Sequence, residues 1–252
     1  MPPTSRFIEP DWPAPANVFA LSTTRSGGAS HAPYSSLNLA HHVGDVDALV
    51  ARNRRVLSAA LPDTSLVHWL SQVHGVQVVE ADPDSQYAQA DAAWSSAAGI
   101  ACAVLTADCL PVLFCSASGD RVAAAHAGWR GLLGGVLEAT VCALDTDPCQ
   151  LLAWLGPAIG PGAFEVGTEV RDAFLAAQPA TEAAACFIPN PERAGHYFAD
   201  LYALARLRLE GAGVTRVFGG GLCTFSDARR FFSYRRDGQT GRMASLVLLR
   251  SA

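Results

Sequence analysis

The sequence predicts an α+β fold: one domain built on mixed β-sheets. Three observations carry that prediction. Half of the 252 residues are hydrophobic, which is enough to fill a sizeable core. Short apolar runs rich in Val, Ala and Leu, at 99–105, 121–125, 151–155 and 245–249, have the length of buried strands. Helical patterns fall between such runs irregularly, without the steady βαβ alternation of a doubly wound sheet. No internal repeat, charged tract or flexible linker divides the chain, so 1–252 reads as a single domain, with the proline-rich residues 1–17 as a surface extension.

The elements follow in order. A strand is predicted over Val18–Thr24, then a polar loop in which Arg25-Ser26-Gly27-Gly28 has the glycine content of a tight turn. Residues 45–60 read as a helix, with Asp45 and Asp47 at its start and Val50, Val56 and Leu57 along one stripe. Strands at 67–71 and 76–80 place His74 in the turn between them. A strand over Gly99–Leu105 leads to a bend at Cys109, and Pro111 is expected to interrupt pairing before a short strand to Cys115. The run Arg121–Ala125 ends at His126 and passes through Gly128 into a helix from Gly131 to about Leu144. That helix N-terminus would present free amides beside His126. Further on, the pattern predicts a strand at Leu151–Leu155, helices at Val166–Ala177 and Asp200–Gly211, and strands at Val214–Phe218, Phe231–Tyr234 and Ser245–Leu249.

Composition excludes several functions. The eighteen basic residues are all arginines, so Schiff-base, pyridoxal-phosphate and P-loop lysine chemistry are absent. Anions must be bound by arginine forks, which suit phosphate and carboxylate. A net charge of -5 without a basic tract gives no nucleic-acid footprint, and small molecules are the expected partners. The chain has no apolar run of membrane-spanning length, and its N-terminus lacks the apolar core of a signal peptide. Seven cysteines, an odd number set mostly in apolar stretches, fit a reducing cytoplasm.

Three segments carry candidate chemistry: Gln72-Val73-His74-Gly75, Thr106-Ala107-Asp108-Cys109-Leu110-Pro111 and His126-Ala127-Gly128-Trp129-Arg130-Gly131. Each follows an apolar, strand-like run. Two imidazoles and a thiolate from His74, His126 and Cys109 suit zinc with its fourth position open. Taken singly, each has a structural explanation, because a lone histidine is usually hydrogen-bonded or superficial and a lone cysteine usually fills core. The spacing matches no zinc finger, His-Glu-x-x-His or nucleobase-deaminase motif. Copper can also enter a His-His-Cys site, although the His-x-His pairs of a multicopper centre are missing. Asp108 reads equally as a turn former and as an acid/base or ligand-orienting residue. Arg25 and Arg130, each beside glycines, are the candidates for substrate anions. His41-His42 could edge a pocket and is not expected to ligate.

With Thr23-Thr24-Arg25-Ser26-Gly27-Gly28, Ser36-Leu37-Asn38-Leu39, Gly156-Pro157-Ala158-Ile159-Gly160-Pro161 and Phe232-Ser233-Tyr234-Arg235-Arg236-Asp237-Gly238 added in order, the chain closely resembles the YfiH family, also called peptidoglycan editing factor and once labelled multicopper polyphenol oxidase or laccase-like. The match spans about Val18 to Leu249. The resemblance implies mixed β-sheets at the centre with helices packed outside, a layered α/β/β/α fold, and zinc on the positions of His74, Cys109 and His126. Cys109, His74, His126 and the adjacent Asp108 are the catalytic candidates, and motif position and charge propose Arg25, Asn38 and Arg130 as substrate contacts. It implies phosphorolysis of adenosine, inosine, guanosine and 5'-methylthioadenosine, together with adenosine deamination. It equally brings in editing of serine-containing muropeptide precursors, which would make a UDP-muropeptide a substrate, and a laccase-like copper oxidase activity.

Overall fold

A computed structural model describes residues 5–62, 66–177 and 180–251; the first four residues of the expected N-terminal extension lie outside them. The chain opens with β1 (Phe7–Ile8), β2 (Val18–Thr23) and helix α1 (Asp47–Ser58). Then come five strands, β3 (Leu66–His68), β4 (Val78–Glu80), β5 (Ala92–Ser95), β6 (Ile100–Thr106) and β7 (Leu110–Ser116), and a sixth, β8 (Val122–Ala127). Helices α2 (Trp129–Gly134) and α3 (Val136–Ala143) precede β9 (Leu151–Leu155) and β10 (Glu165–Gly167). The C-terminal third holds α4 (Thr168–Ala177), α5 (Ala180–Ala185), β11 (Phe187–Pro189), β12 (His196–Ala199), α6 (Leu201–Gly211), β13 (Arg216–Gly219), α7 (Tyr234–Asp237) and β14 (Met243–Leu249).

Two mixed sheets stack face to face. One has the order β1-β2-β14-β6-β3 and the other β13-β9-β7-β8-β5-β4, with parallel pairs at β3/β6, β4/β5 and β13/β9. Strand alternation explains the layering, because successive side chains point to opposite faces. In β14, Val247 and Leu249 join Leu113 and Cys115 of β7 and Trp154 of β9 in the core between the sheets. The intervening Leu246 and Leu248 face outward, where Leu57 of α1 covers them. On the far side, Val112 and Phe114 of β7 pack under Leu137 and Val141 of α3 and Leu204 of α6. The result is the α/β/β/α arrangement of a mixed α+β single domain. No helix among the described residues is long and apolar enough to cross a membrane.

Several expectations need correction. Part of the N-terminal extension is built into the fold, since Phe7 and Ile8 pair with Thr23 and Ser22 at the sheet edge. The predicted helix over 131–144 is two helices, separated at Gly135, whose φ of 102° lies in the left-handed region that glycine tolerates. Residues 231–234 form no strand. Phe231 and Phe232 are fully buried against Ala107 and Met243, but their backbone is tied to side chains: Arg236 donates to the carbonyl of Phe231, and Met243 Sδ accepts from the Phe232 amide. Ser233 then caps the short α7 by accepting from Arg236 N. The small antiparallel sheet β10-β12-β11 was not anticipated.

Pro111 does not interrupt pairing. It sits within β7, opposite His126 of β8, and its carbonyl accepts from Gly156 N at 2.9 Å on the other side. The bond its nitrogen cannot donate would have gone back to the Gly156 carbonyl. The Tyr202 hydroxyl lies 3.0 Å from that oxygen, 2.6 Å from the Leu222 carbonyl and 2.9 Å from Ala158 N, from which it accepts. Replacing Tyr202 with Phe leaves these buried groups unsatisfied, so Tyr202→Phe should lower unfolding free energy by about 1–3 kcal/mol, read as a shifted urea midpoint with unchanged slope.

Candidate metal centre

Two of the places where the chain crosses between the two large sheets carry the site. One crossing is the segment 69–77 between β3 and β4, which carries His74; the other is the corner between β6 and β7, which carries Cys109. His126 projects from the end of β8. The His74 segment is therefore a link between sheets and not the hairpin turn the sequence suggested. Gln72 fixes its start by pairing with both backbone groups of Leu105, donating to its oxygen at 2.9 Å and accepting from its nitrogen at 2.7 Å.

Asp91, fully buried just before β5, sets the geometry of both histidines. Its carboxylate accepts from the amides of Val73 (3.1 Å), His74 (2.9 Å) and Gly75 (2.6 Å). Those three bonds hold His74 at a φ of 61°, a conformation that a residue with a side chain seldom adopts unaided. The same carboxylate lies 2.8 Å from His126 Nδ1, which leaves Nε2 free to face Cys109.

The ligand atoms of His74, Cys109 and His126 all lie within 4.8 Å of one another, and Cys109 Sγ is 3.9 Å from His74 Nε2. Tetrahedral zinc with bonds of about 2.0–2.3 Å needs ligands roughly 3.5 Å apart, so this donor set fits such an ion after small side-chain shifts. Gly128 makes the approach feasible. A Cβ there would stand 3.0 Å from Cys109 Sγ and 3.1 Å from His74 Cδ2.

Electrostatics also prepare the donors. Burial acts to raise the Cys109 thiol, but the neighbouring His126 and His74 outweigh it and bring it down to about 6. Burial acts to lower His126, yet the Cys109 and Asp91 charges prevail and raise it. Asp91 is lowered: burial works against its ionised form, while His126 and the Gly75 and Val73 amides more than compensate. Cys102, Cys115 and Cys186, by contrast, are pushed up by burial.

The trio opens into a cavity of about 350 Å³ walled by the end of β6, Gln72, His42, Tyr234 and Arg242. His42 thus edges the pocket, as its loop suggested. Asp108 turns away: its φ is 90°, and its carboxylate accepts from Thr224 Oγ1 (2.6 Å), Ser233 Oγ (3.0 Å) and Arg235 N (2.7 Å). That places it as an anchor for the segments beside the cavity. Arg25 donates to the carbonyls of Ser35 and Ala228 and lies over the Phe232 ring. Asn38 is fully buried and bonded to Ala40, Asp45 and Arg242 N. Arg130 is exposed and stacks on Trp129. None of these three belongs to the cavity wall.

The residues the sequence reading missed are Asp91 and Arg242. Asp91 lies 17 residues from His74 and 35 from His126, so no local spacing links them; the available signal was a single acid set directly before an apolar strand. Arg242 follows a glycine between two runs read as strands, outside every motif singled out. Asp91→Asn keeps an acceptor but removes the charge that orients His126, and zinc affinity should fall about 10–100-fold in competition with a chromophoric chelator. In metal-stripped protein, alkylation of Cys109 by iodoacetamide, followed by peptide mass mapping, should rise with pH through about 6.

The chain is similar throughout to proteins of known family. A Pseudomonas aeruginosa protein named purine nucleoside phosphorylase is 60% identical over 243 residues, covering 96% of this chain and 98% of that one. The purine nucleoside phosphorylase YfiH of Escherichia coli is 52% identical over 246 residues, covering 97% and 99%. A Neisseria meningitidis crystal structure of the DUF152 family superposes with a TM-score of 0.92 at 51% identity, covering 98% of this chain and all of that one. YlmD of Geobacillus stearothermophilus gives 0.89 at 31% identity, covering 100% and 98%. The family described as multi-copper polyphenol oxidoreductase laccase matches residues 19–250. With its layered fold and its His-Cys-His corner, the chain belongs to this YfiH (DUF152) family.

Proposed function

We propose that this protein is a zinc-dependent purine nucleoside phosphorylase acting on adenosine, inosine, guanosine and 5'-methylthioadenosine, with an adenosine deaminase activity in the same cavity. The observation that carries this reading is the convergence of two imidazoles and a low-pKa thiol on a solvent-open cavity that also presents an arginine. The names of the Pseudomonas and Escherichia relatives support the purine assignment.

In phosphorolysis a phosphate oxygen bonds to the anomeric carbon of the ribose while the glycosidic electron pair leaves with the purine, which then takes up a proton. The site must therefore hold an anion next to a carbon that becomes cationic. Zinc on His74, Cys109 and His126 would supply Lewis acidity, and in deamination an activated water. The chain's own groups do the positioning. Asp91 keeps the His126 Nε2 lone pair directed at the centre, and Gln72 and Asp91 together fix the backbone that carries the exposed His74 ring. Copper occupying the same donors fits their chemistry, but the described residues offer no trinuclear cluster for oxidase turnover.

A second reading draws on one specific observation. Cys109, His126 and Asp91 line up as thiol, imidazole and carboxylate, the order of a nucleophilic triad, so a metal-free protein could cut an amide of a muropeptide precursor through Cys109. Elemental analysis combined with product identification separates the two readings. One zinc per chain, with adenine and ribose 1-phosphate formed from adenosine plus phosphate and at least a 100-fold loss of rate in Cys109→Ala, is the expected outcome. Full phosphorolysis by metal-stripped Cys109→Ala protein would overturn it.

A further inference from the structure

We propose that Arg242 is the residue that binds the phosphate co-substrate, its guanidinium holding the oxyanion across the cavity from the His74, Cys109 and His126 corner. This rests on the phosphorylase reading for the identity of the anion. The binding itself rests on geometry.

Among the described residues, Arg242 is the one arginine in the wall of the cavity, and no carboxylate lines it. Its Nη1 donates to the carbonyls of Thr240 (2.9 Å) and Gly241 (3.1 Å), which sets the plane of the fork. Among the described residues, Nε and Nη2 have no protein acceptor. An arginine so placed presents two N–H groups side by side, the spacing that matches two oxygens of a phosphate.

The protein holds this arginine in position. Asn38 Oδ1 accepts from Arg242 N at 3.0 Å, and the Arg242 carbonyl accepts from Leu39 N at 3.3 Å. Asn38 itself is fully buried, with its amide nitrogen bonded to the Ala40 carbonyl and to Asp45. The Ser36-Leu37-Asn38-Leu39 segment thus fixes the arginine's backbone instead of touching substrate. Burial lowers the Arg242 pKa, and the Cys109 and Asp108 charges work the other way, so the guanidinium is a partly desolvated cation within the field of the thiolate corner. His42 stands in the same wall; burial, and then the Arg242 charge, lower its pKa, so it faces the anion as a neutral hydrogen-bonding group. On the open side the Tyr234 ring, 62% exposed, lies 5.8 Å from the Arg242 guanidinium carbon.

The test uses zinc-loaded protein, with Arg242→Gln and Arg242→Lys checked for thermal unfolding and zinc content. Inorganic phosphate binding is read by calorimetry without nucleoside, and phosphorolysis by varying phosphate and inosine separately. Expected for Arg242→Gln are at least a tenfold weakening of phosphate binding and a matching rise in KM for phosphate, with KM for inosine changed less than twofold. Arg242→Lys, which keeps the charge without the fork, falls between. If phosphorolysis is present and either folded variant keeps wild-type KM for phosphate, the Arg242 assignment is wrong and the phosphorylase reading stands. If wild-type protein binds phosphate through Arg242 but turns over no nucleoside, the anion site stands and the phosphorylase reading fails. Absence of phosphate binding to the wild type overturns the proposal.

Discussion

The buried carboxylate of Asp91 is the constraint on which the site depends. Among the described residues it has no cationic partner other than His126, and it stays ionised because three backbone amides and one imidazole supply the hydrogen bonds that water would otherwise give. The same four bonds serve two ends. They fold residues 73–75 into a conformation that extended pairing would not allow, and they set the tautomer of a ring on another strand. Because one group does both, the relative placement of His74 and His126 does not depend on two separate loops finding their positions independently.

That coupling also explains why the site lies where the two sheets meet. Within either sheet, side chains alternate between faces already filled by Val112 and Phe114 on one side and Leu113 and Cys115 on the other. Where the chain leaves one sheet for the other, polar side chains can converge without disturbing an apolar layer. The crossings at 69–77 and 107–109 are such places, and glycine at 128 lets α2 start immediately beside them.

Much of this was legible in the sequence and some was not, for physical reasons. Apolar runs such as Ile100–Thr106 and Leu151–Leu155 are buried on both faces, and their composition alone marks them as strands. The ligand trio was visible because each member closes such a run. What sequence could not show was the direction of side chains whose partners are distant. Asn38, Arg25 and Asp108 sit in polar or glycine-containing motifs that resemble binding loops, yet their donors and acceptors are spent on Arg242 N, the Ala228 carbonyl and Thr224, each more than a hundred residues away in sequence. Pro111 was misread because its missing donor is a fault only if its partner carbonyl is left bare, and Tyr202 covers that carbonyl from 46 residues further along. The pair Phe231 and Phe232 has strand composition, but Arg236 and Met243 claim the backbone groups a ladder would need.

The charge balance of the corner favours a divalent cation over an empty site. Without metal, the lowered Cys109 and the raised His126 form a thiolate–imidazolium pair beside ionised Asp91, and the corner has paid most of the cost of ionising the thiol. A divalent ion entering there therefore meets a thiol that its two histidine neighbours already bias towards the thiolate. Such an ion adds positive charge to the cavity. Arg242 faces that same space, and the gain falls where an oxyanion would sit. Metal binding and anion binding are in this way linked through His126 and Cys109, and the reciprocity of binding free energies requires that an anion held by Arg242 also tighten the hold of the corner on its metal.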